Sequence, residues 1–155
     1  MIEPTACAGC CLPTDTYCDR CDLLVGLPGL RVVEVDRLGD GLRVVVESPP
    51  RVEGCRRCGV VAASHGRCPV RLVDAPCFGR PVRLVWRKRR WRCAEAACPG
   101  GVFTEQHDQV ARPRGLLTVR ACWWAVRQLR FEHASVLGLA RQLGTTWRAG
   151  WRSVE

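Results

Sequence analysis

Two short-spaced cysteine pairs constrain this chain more than anything else in it. Cys55 and Cys58 stand in Gly-Cys-Arg-Arg-Cys-Gly, and Cys93 and Cys98 in Trp-Arg-Cys-Ala-Glu-Ala-Ala-Cys-Pro-Gly. Two thiolates at such spacing can converge on one ion across a tight turn, so the four together predict a tetrahedral zinc site. Between the pairs, Arg83-Leu84-Val85-Trp86-Arg87-Lys88-Arg89-Arg90-Trp91-Arg92 sets six basic residues and two tryptophans directly before Cys93. A basic, aromatic strand pinned by metal points to nucleic acid.

At 155 residues the chain has room for one ordinary domain or two small ones. Small units bury little apolar surface, so a metal whose binding energy becomes folding energy is a useful staple, and twelve cysteines suit that need. The competing explanation is a secreted disulfide framework. Met1-Ile2-Glu3-Pro4 lacks the basic and then apolar stretch of an export signal, which favours metal-binding thiols in a cytoplasmic protein. No apolar run approaches the ~20 residues of a membrane span.

Charge is unevenly spread. Residues 1–28 hold Arg20 against Glu3, Asp15, Asp19 and Asp22, a charge of −3, so the rest of the chain carries +12 and the two sum to +9. That imbalance attracts polyanions at long range.

Three regions follow: a cysteine-rich arm over 1–28, a zinc-binding β domain over 29–107, and a helical DNA-binding domain over 108–155. In the arm, Cys7, Cys10, Cys18 and Cys21 could close a second zinc site, with Cys11 competing for the place of Cys10; a flexible or redox-sensitive arm is the alternative. Valine-rich runs at Leu30–Asp36 and Leu42–Glu47 flank Leu38-Gly-Asp-Gly41 and predict a β-hairpin. A second hairpin is expected from Val70–Val73 and Pro81–Trp86 across residues 74–79, with Val82, Leu84 and Trp86 on one face and Arg83, Val85, Arg87, Arg89 and Trp91 on the other.

Beyond Phe103 the period becomes helical. Val119, Cys122, Trp123, Val126 and Leu129 predict the buried stripe of one helix, with Arg120 and Arg127 off it. Ser135 to Val154 has the pattern of a helix-turn-helix: Ala140 permits close crossing, Gly144 accepts the turn geometry four residues later, and Thr146 caps the next helix. Trp147, Arg148, Trp151 and Arg152 would then lie on the recognition helix, where arginine can donate two hydrogen bonds to guanine. An ordinary antiparallel helix pair is the plainer alternative. The expected architecture is therefore α+β: a small zinc-ribbon-like antiparallel β domain followed by a three-helix helix-turn-helix domain.

Several motifs together resemble the N-terminal part of bacterial insertion-sequence transposases of the ISL-three family. They are Gly54-Cys-Arg-Arg-Cys-Gly59, Ser64-His-Gly-Arg67, Leu72-Val-Asp-Ala-Pro76, Gly79-Arg-Pro-Val-Arg-Leu84, Arg89-Arg-Trp-Arg-Cys93, Cys98 to Glu105, and Gly144 to Val154. The resemblance covers roughly residues 23 to 155. It implies a zinc-binding domain and a helix-turn-helix ahead of a DDE catalytic core, with Cys55, Cys58, Cys93 and Cys98 as zinc ligands and the last helix pair recognising the element's ends. No carboxylate set suited to two-metal chemistry stands out and the helical region runs to Glu155, so double-stranded DNA binding without strand cutting is expected. Arg83, Arg87, Lys88, Arg89, Arg90 and Arg92 would grip phosphates, and Thr146 to Arg152 would read the groove. The alternative is a transposase-derived module or regulator that acts through a protein partner, such as full-length transposase or a second copy of itself. His65 beside the first pair is a lesser candidate ligand, and Cys68, Cys77 and Cys122 are expected to be incidental thiols.

Overall fold

A computed structural model describes residues 17–146 and Arg148. One short helix, α1 (Asp19–Val25), precedes five strands: β1 (Arg31–Leu38), β2 (Gly41–Glu47), β3 (Ala63–Cys77), β4 (Arg80–Arg92) and β5 (Val102–Thr104). Two helices follow, α2 (Val119–Phe131) and α3 (Val136–Gln142). The strands form one mixed sheet in the order β1-β2-β4-β3, with β5 also paired to β4.

Both expected hairpins are present. β1 and β2 pair antiparallel across Gly39 and Asp40. β3 and β4 pair antiparallel across Phe78 and Gly79, and both strands run well beyond the valine-rich segments that announce them. Pro69 lies within β3, which is an edge strand where a missing backbone donor costs no ladder bond. β4 is the spine. Its first half lies parallel to β2, from Leu42 opposite Val82 to Glu47 opposite Arg87. Its second half takes β5 on the same side, from Arg90 opposite Thr104 to Arg92 opposite Val102.

Alternation along β4 buries Val82, Leu84 and Trp86 on one face, where they join Val32, Val44, Val46 and Leu72 from the other strands. Leu27 and Leu30 before β1, and Val110 and Ala111 after β5, close this core. A smaller cluster of Leu117, Ala121 and Leu143 packs with Val73.

A buried ion pair fastens the helices to the sheet. Asp74 of β3 is fully buried and accepts hydrogen bonds from Thr118 Oγ1 at 2.6 Å and Arg120 Nε at 2.8 Å. Thr118 is also the N-cap of α2, its Oγ1 accepting from the Ala121 N–H. Arg120 reaches on to the carbonyl of Val25 at the end of α1, so one guanidinium ties both helices to β3.

The expected architecture is corrected on two counts. An antiparallel zinc-ribbon-like domain is replaced by a larger mixed sheet, because β4 is long enough to hold β2 in parallel while pairing β3 on its other side. The described residues contain no three-helix helix-turn-helix domain: α1 lies before the sheet, and only α2 and the seven-residue α3 follow it. Ala140 is buried and Gly144 forms a turn, but that turn serves the sheet. Gly144 has φ +60°, and a Cβ on it would come within 2.9 Å of Pro81 Cβ, so the turn lies against β4.

The helical stripe also differs from expectation. α2 buries Ala121 and Ala125, whereas Trp123 is 66% exposed. The alanines let the helix approach closely, and that turns Trp123 outward. No helix among the described residues is long and apolar enough to cross a membrane.

Candidate metal centre

The cysteine cluster sits where β4 ends. Cys93 follows β4 directly, and its N–H donates to the Gly101 carbonyl at 3.0 Å, closing the loop that carries Cys98 before β5 begins. On the other side, the Cys55 N–H donates to the Val60 carbonyl at 2.8 Å and the Gly59 N–H to the Cys55 carbonyl at 2.9 Å, which folds Cys55 and Cys58 onto one turn.

These two turns bring the Sγ atoms of Cys55, Cys58, Cys93 and Cys98 within 4.8 Å of one another. The Cys55–Cys98 and Cys58–Cys93 sulfur pairs stand 3.9 and 3.5 Å apart. Four sulfurs so close, in a chain where none of these cysteines forms a disulfide, are compatible with a metal site. Backbone donors support the sulfurs: the Arg57 N–H points at Cys55 Sγ from 3.5 Å and the Gly100 N–H at Cys98 Sγ from 3.3 Å. Gly100 is held to its size by the cluster, because a Cβ there would meet Cys55 Sγ at 2.8 Å and Cys98 Sγ at 3.2 Å.

The four thiols do not share protons evenly. The backbone N–H groups of Cys58 and Arg57 lower the Cys55 pKa to about 6. The Glu95 N–H draws Cys93 down, but burial and bonds shared with Cys58 and Cys55 outweigh it, and the Cys93 pKa is pushed up to about 12. Cys98 is also raised, with burial and Cys58 overcoming the Gly100 N–H. A cation bound here would displace the protons that Cys93 and Cys98 hold.

The basic strand leading to this cluster is largely occupied with the protein's own groups. Arg83 donates to the carbonyls of Leu143 and Gly144 at the end of α3. Lys88 is only 6% exposed; its Nζ lies 4.2 Å from the centre of the Trp86 ring and donates to Gln106 Oε1 at 3.0 Å. Burial lowers its pKa. Arg87 pairs with Glu47, and Arg89 donates to the Ser48 carbonyl. Arg90 and Arg92 flank β5 on the side opposite Trp91, with Arg92 exposed.

Of the arm's cysteines, Cys18 is buried and caps α1, its Sγ accepting from the Cys21 N–H at 3.4 Å. Cys21 packs against the main core. Cys7 and Cys10, the other half of the expected second site, lie outside the described residues. So do Trp147, Trp151 and Arg152 of the expected reading surface, whereas Thr146 and Arg148 are described and exposed.

No family model, curated protein or solved structure matches the chain.

Sequence reasoning missed the group formed around Glu47. Its carboxylate accepts from Tyr17 Oη at 2.9 Å and faces Arg67 at 3.3 Å and Arg87 at 3.5 Å. Arg67 lies before the expected strand Val70–Val73, whereas β3 begins at Ala63 and takes it in through a bulge between Ser64 and Arg67. Arg67 and Arg71, four residues apart and so on one face of a strand, were the available signal.

Proposed function

We propose that this chain is a zinc-stabilised, sequence-specific DNA-binding module of a transposase. One observation carries the reading: the cysteine cluster clamps the end of the strand that holds seven of the chain's basic residues. A metal there fixes a positively charged strand in place. Zinc is the ion that four thiolates suit best, since a zinc–sulfur distance of 2.3 Å sets sulfur–sulfur edges of about 3.8 Å in a tetrahedron. The observed 3.5 and 3.9 Å pairs bracket that edge. With all four ligands from protein, no position is left for a substrate, so the metal's part is structural.

The +12 charge beyond residue 28 supports a polyanionic partner. The transposase part of the reading draws on the sequence resemblance, whose motifs coincide with the structural nodes of this fold. They include both cysteine turns, the buried Asp74, and Glu105, which binds Ser48 Oγ at 2.6 Å.

Selection from a random duplex library by the zinc-loaded chain tests this reading. Enrichment of a single motif is the expected result, and it should disappear when a chelator removes the metal. An unenriched pool would overturn sequence-specific binding.

A second reading, attachment to a protein partner, is favoured by α2. Trp123 and Phe131 are 66% and 68% exposed and line an open groove of about 590 Å³ with Trp124 and Gln128. Exposed aromatics grouped in this way mark interaction surfaces. Partner binding that survives charge neutralisation of β4, without duplex binding, would put this reading first.

A further inference from the structure

We propose that Arg67, Arg87 and Arg89, grouped around Glu47 on the sheet face opposite the main core, form a phosphate-binding site for the nucleic-acid backbone. This inference rests on the DNA-binding reading above and gives it a location.

Register makes the group. Arg67 of β3 stands directly opposite Arg89 of β4, and Glu47 of β2 stands directly opposite Arg87. Residues paired in this way point to the same face, and positions two apart on β4 share it. Two guanidiniums, those of Arg67 and Arg87, therefore meet one carboxylate, and the third, Arg89, stands beside them on the Ser48 carbonyl. Glu47 is buried and engages Arg67 and Arg87 with separate oxygens, while Tyr17 donates to the same oxygen as Arg67. Arg67 and Arg89 each donate to the Ser48 carbonyl, at 3.4 and 3.3 Å. The Arg67 side chain also holds the Arg87 carbonyl at 3.1 Å.

This arrangement positions the arginines without neutralising them. Like charges set directly across a strand pair repel, and one carboxylate leaves a surplus of two positive charges. The buried Nε of Arg89 has no hydrogen-bond partner among the described residues. An orphaned donor of this kind is costly unless a ligand or rearrangement satisfies it. The Arg67 and Arg87 side chains remain 21% and 29% exposed, so an anion can reach them. Burial lowers the Arg67 pKa, and the charges of Arg89 and Arg87 lower it further, as expected where cations crowd. A phosphodiester fits this chemistry, because planar guanidinium forks match its oxygens. Arg71, exposed opposite Val85 on the same face, extends the track.

Salt titrations of duplex binding, read by fluorescence anisotropy on the zinc-loaded chain, test the site. The variants are Arg67→Ala, Arg87→Ala and Arg71→Ala, with Arg37→Ala as a control of equal charge on the opposite face. Metal content and thermal unfolding are recorded for each, and Arg71→Ala, whose side chain has no partner among the described residues, covers the case in which the others fail to fold. Each phosphate contact removed should reduce the slope of log affinity against log salt by about 0.9, while Arg37→Ala leaves it unchanged. Wild-type slopes in all three folded variants would overturn the phosphate site and leave the DNA-binding reading standing. A parallel titration uses inorganic pyrophosphate as the probe. Pyrophosphate binding lost in Arg67→Ala, in a chain that binds no duplex, would keep the phosphate site and sink the DNA reading. Binding of neither probe would overturn both.

Discussion

At Asp74 a fully buried carboxylate meets Thr118, Arg120 and the Ala75 N–H, so its removal strands polar groups at the joint between sheet and helices. Asp74→Ala should destabilise the chain by about 2–4 kcal/mol. That is less than for a pair buried on both sides, because Arg120 keeps some contact with water. Denaturant unfolding at saturating metal measures it, and a change below about 0.5 kcal/mol would refute the role. Gly100 matters for a different reason. A methyl group there collides with two of the four sulfurs, so Gly100→Ala should weaken metal binding about 10–100-fold while the sheet still folds at high metal concentration. Competition with a chromophoric chelator reads that shift, and unchanged affinity would show that the cluster relaxes around the methyl. The four cysteines were legible in the sequence because their spacing is local. Asp74 and Arg120 were not, since a partner 46 positions away leaves no periodic mark.

Among the elements, β4 decides the architecture. It is paired on both sides along most of its length, and Trp86 at its centre is fully buried. Trp86→Ala should cost about 3–5 kcal/mol in chemical unfolding. A loss near 1 kcal/mol would mean that the core collapses onto the gap. The two hairpins could be read from Gly-Asp-Gly41 and from the alternation in Val82, Leu84 and Trp86, since turn chemistry and period two are local signals. The parallel contact of β2 with β4 could not, because the 32 residues between Glu47 and Arg80 give no local sign of it. α2 failed for a related reason. Periodicity named a stripe through Trp123, but the sheet accepts the face with the least bulk, Ala121 and Ala125.

For the whole molecule, a metal held by the cysteine cluster would link protonation and folding in one equilibrium. Cys93 and Cys98 have raised pKa values and must lose protons to become ligands, so metal affinity falls as pH falls. Between pH 6 and 8 the affinity should therefore rise steeply with pH, because the metal must displace thiol protons from the cluster. Affinity independent of pH would contradict thiolate ligation. Because the cluster joins the 55–58 turn to the ends of β4 and β5, metal removal should loosen that end of the sheet before the Trp86 core. The central claim, that metal fixes a basic strand for DNA, is tested most directly by one titration. Labelled duplex is added to the zinc-loaded chain at near-physiological salt, and a chelator is then introduced. The account predicts salt-sensitive binding that is lost on chelation and restored by zinc; binding that ignores the chelator, or no binding with zinc in place, would contradict it.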